Sequence, residues 1–202
     1  MVYKIALVST HGTGKTALAG LIEGELKRRN IEARAIREMS TQAKERGLPI
    51  NEQTTKETQL WILYRQFAEE LLHSQLRQGR QAYQVIICDR GPDNYCYLKH
   101  RCGDDALALN LTLGHLQRFP YNQLYLLPIV EEQIVENGTR SVDSTFQQAM
   151  DAEIRTFCVQ YNIPAVPLPL PKKEDHLRNE WVKIIVNQTL TDLNVDQKYF
   201  IS

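Results

Sequence analysis

Short apolar runs alternate along the chain with longer stretches in which apolar residues recur every three or four positions. The run 2–8 predicts a strand, and its nearly unbroken hydrophobicity suits a strand buried on both faces. Residues 15–30 follow with Leu18, Leu21, Ile22 and Leu26 at helical spacing. Residues 32–37 predict a weaker second strand, and 41–46 a helical turn ended by Gly47 and Pro49. A long helix is predicted over 56–78, with Leu60, Leu63, Phe67, Leu71 and Leu72 on one face and Gly79 as its stop. Then come a short buried strand at 85–88, a helix at 104–117 and a strand at 123–127 closed by Pro128. The stretch 131–144 is polar and carries the turn signal Asn137-Gly138. A helix over 145–161, a short edge strand over 163–168 and a final helix over 174–193 complete the pattern.

Strands alternating with helices predict an α/β fold, a parallel sheet covered on both faces, with ligands at the carboxyl ends of its strands. At 202 residues, with no repeat and no linker-like tract, residues 1–202 read as a single domain. Hydrophobic residues make up 43% and charged residues 24%, an ordinary globular balance. Lys+Arg and Asp+Glu number 24 each, so a general nucleic-acid-binding surface is not expected and any basic site must be local. No apolar run is long enough to span a membrane, and the N-terminal run reads as a strand rather than a leader. Cys96, His100 and Cys102 are close in sequence, but a fourth ligand at zinc-site spacing is missing. Reduced thiols in a cytoplasmic protein are the expectation.

Chemistry enters where the first strand ends. Ser9-Thr10-His11-Gly12-Thr13-Gly14-Lys15-Thr16 lies between a strand and a helix, the setting of a phosphate-binding P-loop. Gly12 and Gly14 allow the backbone to turn its amides around phosphate oxygens, and the helix N-terminus adds more donors. His11, Gly12, Thr13, Gly14, Lys15 and Thr16 are the expected contacts to ATP, with Lys15 on the terminal phosphates and Thr16 on magnesium. Ser9 stands where the usual pattern has glycine, a small residue that restricts the loop's first turn. Later, Val85-Ile86-Ile87-Cys88 runs into Asp89 and Arg90. An acid at such a strand end suits magnesium, and the arginine beside it suits a substrate phosphate or the acid itself.

These two motifs resemble those of the P-loop kinases of small metabolites, the nucleoside and nucleotide kinases. Within that superfamily the chain looks most like kinase-like ATPases grouped with nicotinamide riboside kinase, over residues 3–168. The resemblance implies a three-layer P-loop NTPase sandwich whose five-stranded parallel sheet sets the Asp89 strand beside the P-loop strand. It implies that Glu38 is the acceptor's base and that 128–144 is a lid carrying Arg140 to the transferring phosphate, with Arg155 farther on. It also sets Gln66 on the long helix as a reader of a base, near Trp61 and Tyr64.

The reading that follows is ATP- and magnesium-dependent phosphoryl transfer to a small-molecule acceptor, nucleoside or nucleotide among the candidates. Lys15, Glu38, Asp89, Arg90 and Arg140 are its catalytic set, and Thr16 and Asp89 its metal ligands. The rival readings are an ATPase or nucleotide-dependent switch acting on a protein partner, with His11 or Glu38 orienting water, and a binding protein without turnover. The N-K-x-D signature of guanine recognition is absent from the sequence. Assembly into a homodimer is left open.

Overall fold

The computed structural model describes residues 2–75, 82–130, 144–172, 175 and 178–201. Its sheet has five parallel strands in the order β2-β3-β1-β4-β5. They are β1 (Tyr3–Val8), β2 (Ala33–Ile36), β3 (Val85–Asp89), β4 (Gln123–Leu126) and β5 (Val166–Pro167). The register pairs Leu7 with Asp89 across β1 and β3, so the acid emerges beside the end of the P-loop strand, as the motifs imply. β5 is shorter than the 163–168 run predicts. Pro164, Pro167 and Pro169 supply no amide protons to a ladder, and only Tyr125–Val166 and Leu126–Pro167 are in register.

Because alternate side chains of a strand face opposite ways, β1 feeds two cores. Tyr3, Ile5 and Leu7 pack on one side with Leu18, Ile22 and Leu26 of α1 (Lys15–Lys27) and with Trp181, Ile185 and Val186 of α7 (Asn179–Asp192). Ala6 and Val8 pack on the other with Leu63 and Phe67 of α3 (Lys56–Ser74), Leu98 of α4 (Asp93–Cys102) and Met150 and Ile154 of α6 (Ser144–Gln160). A third cluster joins Ile36, Ile86 and Cys88 to Met39 and Ala43 of α2 (Met39–Glu45) and Ile62 of α3. These are the three layers expected.

One helix departs from the predicted pattern. The sequence reads as a sharp turn after Asp89-Arg90, followed by a helix from 104, yet α4 starts at Asp93 and α5 (Ala106–Arg118) follows it. Pro92 caps α4 in a helical conformation, Asp93 sits in its first turn, Lys99, His100 and Arg101 sit in its last, and Gly103 ends it at φ 84°. Each of these features favours a helix terminus; the scarcity of apolar residues in 93–102 hid the element. The helix-stop residue Gly79 lies outside the described residues. Among the described residues no helix is long and apolar enough to cross a membrane.

Candidate functional site

β1 delivers the loop 9–14 to the mouth of the sheet, and α1 begins directly behind it. Gly12 and Gly14 take φ 76° and 86°, the left-handed region that glycine enters freely. A side chain at Gly12 would also approach Gln147 Nε2 within 3.3 Å. Gly14 caps α1 without a side-chain hydrogen bond, so no side chain competes for the first-turn amides. Ser9 fits the loop without a left-handed φ. Its hydroxyl lies 2.5 Å from Thr13 Oγ1 and accepts from Lys15 Nζ at 3.0 Å. α6 anchors the loop from outside: Gln147 Nε2 donates to the His11 carbonyl at 2.8 Å, and Phe146 stacks on the His11 ring at 5.4 Å.

Five charged side chains, Lys15, Glu38, Asp89, Arg90 and Asp93, converge behind this loop. The Lys15 ammonium donates to the Ser9 and Thr10 carbonyls at 3.1 and 2.6 Å. Burial and the Arg90 cation lower its pKa to about 8, against the opposing pull of Asp89, Glu38 and Asp93. Arg90, with φ 121°, is held by three contacts: Nε on Glu38 Oε1 at 2.7 Å, Nη1 on Asp93 Oδ2 at 3.2 Å, and the Tyr97 ring 4.3 Å from its guanidinium carbon. That strained backbone persists because its neighbours over-determine it. Burial opposes ionisation of Glu38, but Arg90 and Lys15 outweigh it and depress the carboxyl to about 2. Asp89 goes the other way: burial first, then the Glu38 charge, raise it to about 6.

Asp89 is 1% exposed, and neither of its oxygens has a full hydrogen-bond partner among the described residues. The Thr16 hydroxyl offers a weaker interaction that lowers its pKa somewhat. A buried carboxylate whose oxygens have only that weak interaction, beside an exposed hydroxyl, is a donor set that fits a hard divalent cation. The uncapped helix terminus and Lys15 fit the phosphates that would accompany it. The residues present thus fit both magnesium and a nucleoside triphosphate.

A cavity of about 310 Å³ opens in front of the cluster. His11 to Thr16, Glu38 and Arg90 line it, so most of the residues singled out in the sequence share one space. Asp89 does not line it, but Arg90, next in sequence, and Thr16, whose hydroxyl reaches Asp89, both do. Arg140 and the lid segment 131–143 lie outside the described residues. Gln66 is not in the wall. It is fully buried, donating to Glu70 Oε1 at 3.0 Å and to the Arg90 carbonyl at 3.3 Å. Trp61 and Tyr64 do not line the cavity either; Gln59 and Ile62 are the α3 residues that do. Arg155 pairs with Asp151 on its own helix at 2.7 Å, away from the cavity. The sequence reading missed Gln59, Asn94, Tyr97, Arg101 and Phe146. Recognising α4 from its Pro92 start and basic end would have set Asn94, Tyr97 and Arg101 on one face. All four cysteines are free, and no cluster of three metal-ligating side chains occurs among the described residues.

A family model for the AAA domain matches residues 4–176. The sequence matches no curated protein at a significant level. Among solved structures, the NadR protein in complex with NAD and AMP-PNP superposes with a TM-score of 0.70 at 10% identity, over 96% of this chain and 50% of that one. NadR in complex with NR gives 0.73 at 14% identity, over 97% and 53%. Deoxyadenosine kinase from M. mycoides, with dCMP and a flexible dCDP bound, gives 0.55 at 16% identity, over 95% and 98%. This chain spans about half the length of the NadR chains. At these identities the likeness is one of fold.

Proposed function

The chain belongs to the AAA domain family and has a P-loop nucleoside/nucleotide kinase-like fold, and from that premise we propose that it transfers the terminal phosphoryl group of ATP to a small acceptor. The observation that carries this reading is the shared cavity. It joins the phosphate loop to a second wall built from α2, α3 and α4, and that wall leaves room for an acceptor larger than water.

In this reading the P-loop amides and Lys15 hold the phosphates, and Thr16 and Asp89 hold magnesium. Magnesium, when bound, neutralises charge on the phosphate oxygens. An acceptor oxygen forms its bond to the terminal phosphorus as the bond from that phosphorus to the bridging oxygen breaks. ADP leaves, and a hydroxyl acceptor loses its proton. Glu38 stands ionised in the cavity wall and takes that proton late, once bonding to phosphorus has made the hydroxyl more acidic. Its pairing with Arg90 makes it a weak base, so its contribution falls below the roughly 100-fold typical of general bases. Arg90 has guanidinium donors beyond those on Glu38 and Asp93, and these suit a phosphate oxygen. Arg140, with the 128–144 segment as a lid on this single domain, covers the transferring group. The four free thiols suit a cytoplasmic setting.

Incubation with magnesium-ATP and a metabolite pool tests this directly. One metabolite should gain a phosphate while ADP accumulates above the hydrolytic background. ADP release that no metabolite stimulates would point instead to an ATPase.

A further inference from the structure

The side of the cavity built from α4 has a chemical bias of its own. Asn94, Tyr97 and Arg101 follow one another at helical spacing on α4, and all three line the cavity. Tyr97 is occupied in supporting Arg90. Asn94 is 3% exposed, yet its side-chain amide nitrogen has no hydrogen-bond partner among the described residues. A buried donor in that condition costs free energy unless a ligand satisfies it.

Arg101 supplies the charge. Its guanidinium carbon lies 3.9 Å from the centre of the Phe146 ring, and Phe146 stacks in turn on His11 of the phosphate loop. Stacking of this kind holds the planar fork in place while its N–H edge stays available. Its ion-pair contact is to Glu52 at 3.6 Å, a side chain 63% exposed and therefore well screened by water. The other cations of the cavity are engaged differently: Arg90 has Glu38 and Asp93, and Lys15 serves the phosphate loop. Arg101 thus lacks a buried counter-ion among the described residues.

Resting on the kinase reading, we propose that the acceptor carries an anionic group, a phosphate or a carboxylate, and that Arg101 and Asn94 bind it. A neutral nucleoside or sugar offers these donors acceptors without charge, and would bind correspondingly worse than an anion.

The test compares neutral and anionic acceptors in matched pairs. Ribonucleosides are set against their 5′-monophosphates, sugars against sugar phosphates, and polyols against hydroxycarboxylic acids, each with magnesium-ATP and the full chain. We expect only anionic members to raise ADP release. The phosphate and carboxylate arms then identify which group is read. For the acceptor so found, Arg101→Gln should raise KM roughly tenfold to a hundredfold, the range of a lost charged hydrogen bond, with a smaller change in kcat. Arg101→Lys should recover part of the loss for a phosphate and less for a carboxylate held by two bonds. The inference is overturned if a neutral member stimulates as well as its anionic counterpart, or if Arg101→Gln leaves KM unchanged. The kinase reading then still stands. No stimulation by either class, in protein that binds magnesium nucleotide, overturns the kinase reading and this inference with it.

Discussion

Two buried carboxylates, one on α3 and one at the end of β3, have opposite surroundings. Glu70, on α3, is fully buried, and both its oxygens are engaged. Lys4 Nζ lies 2.7 Å and His115 Nε2 3.0 Å from Oε2, while Tyr121 Oη and Gln66 Nε2 donate to Oε1 at 2.6 and 3.0 Å. Burial opposes its charge, but these partners prevail and its pKa is lowered. Asp89, equally hidden, has no full partner for either oxygen, and its pKa is raised to about 6. Gln66 bridges the two regions through the Arg90 carbonyl. A buried charge that the fold satisfies is explained by the fold. One that the fold leaves unsatisfied points to something outside the chain, and the neighbours of Asp89, Arg90 and Thr16, line the cavity.

The contrast predicts different failures on each side. The largest is on the open side. Lys15→Ala should reduce turnover by at least about a hundredfold while leaving the fold intact, since it removes the cation on the phosphates and a buried charge together. Circular dichroism and ADP release read both outcomes. On the closed side, Glu70→Gln should lower unfolding stability by about 3–5 kcal/mol in a denaturant titration, because Lys4 would keep its buried charge without a counter-ion.

The pH response separates the regions further. Glu38, depressed to about 2, contributes stability that is present above its ordinary value of 4.5 and is lost as pH falls toward 2. Asp89 has the reverse sign. Its raised pKa favours the folded state most at acid pH, and that contribution is lost as pH rises through about 6. Magnesium binding requires the ionised carboxylate, and phosphate binding requires protonated Lys15. Magnesium-nucleotide affinity should therefore rise through about pH 6 and fall above about pH 8. Each limb should approach tenfold per pH unit in a binding titration. The smallest expected effect is at Ser9. Ser9→Gly removes one hydroxyl shared by Lys15 and Thr13, and nucleotide affinity should change by less than about tenfold, one hydrogen bond's worth.

What the sequence disclosed follows from the range of each signal. The P-loop and the Asp89-Arg90 strand end are contiguous, and their chemistry is set by the backbone run that contains them. Glu38 came only from the family resemblance; it stands two residues beyond β2 and lines the cavity. Gln66 illustrates the limit. A glutamine at the edge of an apolar stripe looks available for a ligand, but its partners Glu70 and Arg90 lie one turn and twenty-four residues away. Lys4 inside an apolar strand and Glu70 beside an apolar stripe were visible as polar interruptions, yet only the fold shows that they meet. The α4 wall was missed because a helix with few apolar positions offers little periodicity to read, although its termini were marked.

The most direct test of the account is Asp89→Asn, measured for both stability and magnesium-dependent nucleotide binding. A metal site predicts that the unfolding free energy at pH 7 holds or rises, by up to about 3 kcal/mol, because a buried charge that burial and Glu38 disfavour more than Lys15 and Arg90 support it is gone. It also predicts that magnesium no longer strengthens nucleotide binding, while metal-free binding stays close to that of the unaltered protein. A variant that loses stability as Glu70→Gln does, and that still responds to magnesium, would contradict it.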